Sequence, residues 1–174
     1  QFIHELRQHE GVGAQALYFT ILTAARTQET IEGTWDEIEG DIWTRPPEHM
    51  KGKEGENEEH RVPLTKQARQ IVNGLEQVND YIFPGQKSNR GLSNAAMTTV
   101  LKRMGRSDLT VHGFRSTFKD WAAEETTFPN EVSELALAHK IDSKVEAAYR
   151  RGDLFEKRRK LMEAWSRYCQ SKKA

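Results

Sequence analysis

The first long hydrophobic segment of the chain lies between residues 13 and 25 and has few polar positions. Its main apolar residues are Ala16, Leu17, Phe19, Ile21, Leu22 and Ala25. A helical segment that is apolar on nearly every face is expected to be buried on all sides. We therefore predict a mostly buried helix here, followed by a short segment that ends at Gly33.

The pattern changes between residues 34 and 45, which are rich in Trp, Ile and Thr and are interrupted at Gly40 and Asp41. Such a segment predicts a hairpin of two short strands. Pro46 and Pro47 should end the pairing, because proline has no backbone donor. After a polar, glycine-containing loop over residues 51–59, residues 60–64 predict a third strand.

Helical periodicity dominates the remainder of the chain. Thr65 is suited to cap a helix that runs to about Val78, since its hydroxyl can accept from a free amide of the first turn. Further helices are predicted over residues 93–103, over 113–125, from Pro129 onward, and over 154–169. The predicted fold class is mainly α (α+β), with a small three-stranded antiparallel sheet near the N-terminus.

Composition narrows the class of protein. A chain of 174 residues fits one domain, and its 26 basic and 26 acidic residues leave a formal net charge of zero. No apolar run approaches the roughly 20 residues that span a bilayer, and no signal peptide is visible. The single Cys169 excludes a disulfide within the chain and a cysteine metal site. We expect a soluble, cytoplasmic protein, and a start at Gln1 within a helix suggests a fragment.

The candidate chemistry lies in an ordered set of polar residues: His112 and Arg115 in T-V-H-G-F-R, His139 in L-A-L-A-H, and Tyr149 in A-A-Y-R-R-G-D. Taken singly, each has a structural explanation as an ion pair, a helix cap or a packing group. Upstream, Arg26 in T-A-A-R-T-Q-E would pair with Glu29 if it were structural. Together they form a set suited to hold a phosphate and attack it.

These residues give the chain a resemblance to the catalytic domain of tyrosine recombinases, and most closely to that of phage- or genomic-island-type integrases. The shared motifs are T-A-A-R-T-Q-E, M-K followed by H-R-V-P-L, T-V-H-G-F-R-S-T-F, and E-A-A-Y-R-R-G-D-L-F-E-K-R-R-K-L-M-E-A-W. They span residues 23–165 in the family's order. The resemblance implies that residues 1–174 form a single integrase catalytic domain, the C-terminal part of a longer chain whose N-terminal DNA-binding domains are missing here.

The resemblance also implies a role for each residue. Tyr149 would be the nucleophile, Arg26 and Arg115 would hold the nonbridging oxygens of the scissile phosphate, and His112 and His139 would complete the phosphate shell. The implied activity is site-specific DNA recombination, the integration or excision of a mobile element such as a prophage, through a covalent 3′-phosphotyrosine. Neither a cofactor nor a metal is implied.

Two positions depart from the family pattern. A lysine between the second and third strands would protonate the leaving 5′-oxygen, and Lys51 is assigned to this role, with Lys53 as the alternative because the loop is long and acidic. Ala138 precedes His139 where a glycine or serine is commoner in the family. The implied partners are double-stranded DNA attachment sites and further copies of the chain, a tetramer on DNA, whereas the isolated domain could be a monomer. No membrane partner is expected, and the protein would be bacterial or phage-encoded.

Several alternatives remain open at this point. A DNA-binding regulator without activity, a type IB topoisomerase-like enzyme and a metal-dependent nuclease could use parts of the same set. The basic residues between 140 and 160 could follow DNA phosphates or form a solvated helix face. The amphipathic C-terminal helix could pack on its own domain or on a neighbouring protomer.

Overall fold

A computed structural model describes residues 1–50, 58–87, 89–139 and 152–171. Most of these residues are helical, and three antiparallel strands form one sheet in the order β1-β2-β3, so the predicted fold class is confirmed. The helices are α1 (Phe2–Leu6), α2 (Val12–Thr23), α3 (Thr27–Ile31), α4 (Lys66–Asn73), α5 (Ala96–Arg103), α6 (Gly113–Glu124), α7 (Asn130–Ala136) and α8 (Phe155–Gln170). The strands are β1 (Ile38–Glu39), β2 (Ile42–Arg45) and β3 (His60–Pro63). No helix in the described ranges is long and apolar enough to cross a membrane.

Helix α2 lies at the centre of the core, which explains why it is apolar on nearly every face. It packs against α1, α3, α4, α5 and α8. The ring of Phe19, which is fully buried, lies 5.2 Å from the ring of Trp43 on β2 and 5.3 Å from the ring of Phe83. The predicted buried helix is therefore confirmed, and it connects the sheet to the helical layers.

The sheet confirms the predicted hairpin but has a shorter first strand. Only Ile38–Glu39 pairs as β1, because residues 35–37 form a short 3₁₀ turn before it. Gly40, at the tip, has a φ of 60°, which glycine adopts without strain. Strand β2 ends at Arg45, before the two prolines as predicted, and Trp43 pairs with Val62 of β3.

A buried ion pair holds the 3₁₀ turn to β2. The side chain of Arg45 is fully buried, and it donates 2.7 Å hydrogen bonds to both carboxylate oxygens of Glu37. The indole of Trp43 donates to the same carboxylate at 2.8 Å. A buried charge must be paired in this way, because an isolated one would lose its hydration without compensation.

Helix α4 begins as predicted and ends earlier. The Thr65 hydroxyl accepts from the Ala68 amide at 3.4 Å, so the predicted cap is confirmed. The helix ends at Asn73, and the prediction that it continues to Val78 is wrong. Gly74 has a low helix propensity, and Val78 is 68% exposed, so no core contact is available there to extend the helix.

Helix α8 packs on the domain that carries it. Trp165 is 2% exposed, and its indole donates to the Ile21 carbonyl at 2.8 Å. The Trp165 ring also lies 5.4 Å from Phe118 and 5.0 Å from Trp121, both on α6. Of the two arrangements considered for this helix, the described chain shows packing within the domain.

Candidate phosphate site at two helix ends

Helix α2 ends in a turn that directs Arg26 out of the core. Ala24 has a φ of 52°, in the left-handed region, and the Ala25 amide donates back to the Thr20 carbonyl at 3.2 Å. The Ala24 amide donates to Ile21 at 3.3 Å. These two bonds define a Schellman motif, which satisfies carbonyls that the end of a helix leaves free.

Helix α7 ends in the same motif, which directs His139 toward Arg115. Ala138 has a φ of 50°, and its amide donates to Leu135 at 3.1 Å. The His139 amide donates to the Glu134 carbonyl at 2.9 Å. A left-handed conformation favours glycine, so this geometry gives a physical reason for the family's preference at position 138.

The guanidinium of Arg115 joins the two helix ends. Its Nη1 donates to the Ala24 carbonyl, and its Nη2 donates to the Leu137 carbonyl at 2.7 Å. The C-terminal carbonyls of a helix carry partial negative charge, so a cation is favoured at both places. Arg115 is only 5% exposed. Each of the two carbonyls is two residues before another candidate site residue, Arg26 in one case and His139 in the other.

His139 is brought to the guanidinium of Arg115. Its Nε2 lies 3.5 Å from Nη2 of Arg115, and its Nδ1 lies 2.7 Å from Oε2 of Glu134. The side chain of His139 is 44% exposed, so one face of the ring remains open to a ligand. The structure thus places an arginine and an imidazole side by side at an accessible edge of the core.

Arg26 is held by the partner that its sequence context predicts. The Glu29 carboxylate accepts from the Arg26 amide at 2.8 Å and from its guanidinium at 2.6 Å. Burial raises the pKa of Glu29, but the hydrogen bonds from Arg26 and the positive charges of Arg26 and Arg115 lower this pKa overall. Glu29 is therefore a carboxylate at neutral pH, and it fixes Arg26 at the start of α3.

The two arginines affect each other electrostatically. Burial of the guanidinium, followed by the positive charge of Arg26, lowers the pKa of Arg115 to about 10, while Glu29 acts in the opposite sense. Arg115 remains protonated at neutral pH. Because desolvation and a like charge both disfavour this cation, an anion bound between the two guanidinium groups would relieve the cost.

His112 lies apart from these contacts. It precedes the first residue of α6, three positions before Arg115, and it is exposed. Within the described ranges its side chain makes no hydrogen bond. The structure therefore brings Arg26, Arg115 and His139 together, whereas His112 lies at the start of α6 with no side-chain hydrogen bond to another described residue.

Tyr149, Lys51 and Lys53 lie outside the described residues, but residues near them in the sequence are described. His60, at the start of β3, is partly buried. Burial, together with the positive charge of Arg158, lowers the pKa of His60 to about 4; the negative charge of Glu29 acts in the opposite sense, and the charges of Arg26 and Arg115 lower this pKa further. The charges of the arginines therefore act on the start of β3, and His60 is a neutral imidazole at physiological pH.

An arginine clamp attaches Asp153 to β3. Arg61 donates to both oxygens of the Asp153 carboxylate at 2.9 Å, and Nη2 of Arg158 donates to the same group at 2.6 Å. Arg158 is 1% exposed, and it also donates to the main-chain carbonyls of Arg61 and Asp153. We refer to Arg61, Asp153 and Arg158 as the arginine clamp.

The clamp corrects the interpretation of the basic stretch. Arg158 is buried, so it is neither a phosphate contact nor part of a solvated face. Arg159 pairs with Asp41 at 2.6 Å. Lys157 and Lys160 are exposed, in agreement with either interpretation, while the residues at 140–151 lie outside the described chain.

Glu134 and His60 were not identified from the sequence as site residues. The spacing E-L-A-L-A-H places Glu134 five residues before His139, which is not a pairing distance on a helix face. Only the turn at the end of α7 brings the two together. His60 could be noticed in H-R-V-P-L, but its strand pattern alone does not show which side chains surround it.

Comparisons with known proteins identify relatives of the chain. The model of the phage integrase family matches residues 2–154. Prophage integrase IntA of Escherichia coli (strain K12) is 33% identical over 175 residues, covering 95% of this chain and 41% of the relative. The integrase of Enterobacteria phage P4 is 29% identical over 171 residues, with 88% and 39% covered. No solved structure gives a significant match.

Proposed function

Because the chain belongs to the phage integrase family, we propose that it is the catalytic domain of a tyrosine recombinase that integrates or excises a mobile element. The chain spans about two fifths of the length of the curated relatives that it matches. Recognition of the attachment site would then rest largely on parts of the protein outside these 174 residues. This division of labour agrees with the zero net charge, since a domain that bound DNA without help would be expected to be basic.

The observation that carries this proposal is the bridge that Arg115 makes between the ends of α2 and α7. His139 lies 3.5 Å from this buried guanidinium, and the positive charge of Arg26 acts on it, which supports a shared phosphate site. Fixed donors stabilise a developing charge without having to reorganise during the reaction. A phosphodiester concentrates negative charge on its nonbridging oxygens during transfer, and guanidinium groups provide paired donors for such oxygens.

The proposed reaction conserves the phosphodiester bond energy. The phenolic oxygen of Tyr149 attacks the phosphorus while its proton passes to a histidine of the site, so that a 3′-phosphotyrosine forms and the bond to the 5′-oxygen breaks. The leaving 5′-oxygen takes a proton from Lys51, with Lys53 as the alternative acid. Rejoining reverses these steps with the 5′-hydroxyl of a partner strand as nucleophile, so no nucleotide cofactor is consumed. A tyrosine has an ordinary pKa of about 10, so the neighbouring cations would have to favour its phenolate.

A nicked suicide DNA substrate tests the proposal. The chain is incubated with a nicked duplex in EDTA, and DNA binding is measured in the same samples. We expect a covalent protein–DNA adduct that is absent from Tyr149→Phe. Saturated binding without an adduct would indicate a DNA-binding regulator, whereas cleavage that requires Mg²⁺ and survives Tyr149→Phe would indicate a metal-dependent nuclease.

A second assay distinguishes recombination from relaxation of supercoils, because a type IB topoisomerase forms the same covalent bond. With the complete integrase and a pair of attachment-site duplexes, we expect exchange of strands between the duplexes. Relaxation of plasmid DNA of any sequence without exchange would contradict the proposal. We further propose that the protein acts as a tetramer on DNA in the cytoplasm of a bacterium, which can be tested by measuring the mass of the protein–DNA complex.

A further inference from the structure

We propose that Glu134 is a positioning residue that holds the His139 ring with Nδ1 protonated and Nε2 directed toward Arg115. This inference deepens the proposed function, on which its catalytic consequence rests. The resemblance assigns His139 to the phosphate shell but assigns nothing to Glu134. The orientation of an imidazole matters, because its two nitrogens are chemically distinct and a hydrogen bond at one of them determines what the other can do.

Glu134 is itself held at both oxygens. Oε2 lies 2.7 Å from Nδ1 of His139, and Oε1 lies 2.5 Å from Nζ of Lys119 on α6. The Lys119 ammonium also donates to Ser133 at 2.8 Å and to Asn130 at 2.5 Å. The lysine therefore joins α6 to α7 and prevents the carboxylate from turning away from the histidine.

The charge state of Glu134 determines the tautomer. Burial raises the pKa of Glu134, but the hydrogen bonds from Lys119 and His139 and their positive charges lower this pKa overall. Glu134 is thus ionised at neutral pH, and an ionised carboxylate only accepts hydrogen bonds. The proton between the two groups must accordingly be on Nδ1 of His139.

Nε2 is then the ring nitrogen that is available for proton transfer at the proposed phosphate site. In the neutral ring it carries a lone pair on the side of Arg115, 3.5 Å from Nη2. It can accept the proton that the Tyr149 phenol loses in the proposed attack, and the resulting N–H donates a hydrogen bond to a phosphate oxygen bound at the guanidinium. The same use of a carboxylate to fix an imidazole occurs in hydrolase triads and around metal-bound histidines.

The test combines a spectroscopic and a kinetic measurement on Glu134→Gln. Long-range ¹H–¹⁵N correlation spectra, recorded above the midpoint of the ring's own titration, report which nitrogen of His139 carries the proton. We expect Nδ1–H in the parent protein and a shift toward Nε2–H in the variant, because a glutamine amide can also donate. Adduct formation with the suicide substrate should slow about 10- to 100-fold, with the Kd for DNA unchanged within about twofold.

Glu125→Gln is the matched control, because it removes the same charge from an exposed position after the last residue of α6. It should leave the tautomer and the rate unchanged. An unchanged tautomer in Glu134→Gln, or a rate equal to that of Glu125→Gln, would overturn the inference. If Glu134→Gln has a lower Tm than the parent protein, Glu134→Ala takes its place. Alanine is favoured in a helix, and the Glu134 side chain is 26% exposed.

The tautomer measurement does not depend on activity. If the parent protein forms no adduct, the proposed function fails, while the spectra still decide whether Glu134 orients the ring. If the parent protein forms the adduct and the tautomer does not respond to Glu134→Gln, the proposed function stands and the role of Glu134 is rejected.

Discussion

The guanidinium of Arg158 donates a 2.6 Å hydrogen bond to the main-chain carbonyl of Arg61, which lies 97 positions earlier in the chain. Through this bond, α8 is fixed to β3 at the place where Asp153 joins the arginine clamp. Asp153 follows Tyr149 by four residues. The clamp therefore anchors the chain a short distance after the proposed nucleophile, on the strand whose first residue, His60, is subject to the positive charges of Arg26 and Arg115.

Replacing Arg158 should destabilise the fold. Arg158→Ala leaves two partly buried carbonyls without their donor and opens a cavity where a fully buried side chain was, so we expect the free energy of unfolding to fall by about 3 kcal/mol. Urea denaturation measures this change. Lys157→Ala, at the exposed neighbouring position, should change stability by no more than about 0.5 kcal/mol, and similar losses in both variants would contradict a structural role for the clamp.

The acid stability of the domain should depend on Glu29. Its pKa is lowered in the folded state, so its contribution is present above the ordinary glutamate pKa of 4.5 and is lost as the pH falls through the lower folded-state pKa. Glu29→Gln should therefore reduce the urea midpoint at pH 7 and flatten its decline below pH 4.5. Glu39→Gln, at an exposed strand position, serves as the control. An equally steep decline in Glu29→Gln would refute the assignment.

Glycine at position 138 should stabilise the domain. Ala138 occupies the left-handed region, where a Cβ costs roughly 1–2 kcal/mol, so Ala138→Gly should raise the free energy of unfolding by about 0.5–1 kcal/mol after the entropy loss of glycine. Ala123→Gly, at an exposed position inside α6, should instead lower it by about 1 kcal/mol. Effects of the same sign in both variants would show that the turn is not strained.

Lysine substitutions should distinguish the roles of Arg26 and Arg115 in catalysis and in stability. Arg26→Lys retains a charge on a side chain that is 22% exposed, so we expect adduct formation to fall about 100-fold or more with little loss of stability. Arg115→Lys should impair both adduct formation and stability, because a lysine cannot donate to the carbonyls of Ala24 and Leu137 at the same time as a guanidinium does. Adduct kinetics and urea denaturation of both variants provide the comparison, and equal stability of the two would argue against the bridge between helix ends.

Much of the local structure could be predicted from the sequence. The apolar density of α2, the breaks at Gly40 and at the two prolines, and the cap at Thr65 all depend on neighbours within a few residues. The pairing of Arg26 with Glu29 belongs to the same class, because a helix start brings positions three apart together. Such local features follow from the spacing of residue types along the chain.

The end of α4 and the role of Arg158 could not be predicted in this way. Whether a helix continues past Asn73 depends on a core contact that the chain does not provide at Val78. Whether a basic residue at position 158 faces solvent or the core depends on how α8 meets β3, and no spacing within α8 reports that.

By itself, the sequence determined most of the elements that form and which residue types stand in the order Arg26, His112, Arg115, His139, Tyr149. Only the tertiary structure decided that Arg115 joins the ends of α2 and α7, and that Glu134 rather than a distant group orients His139. The reason is physical: periodicity records the environment of one helix or strand, whereas a bond across 91 residues, as between Arg115 and Ala24, exists only once separate elements have packed.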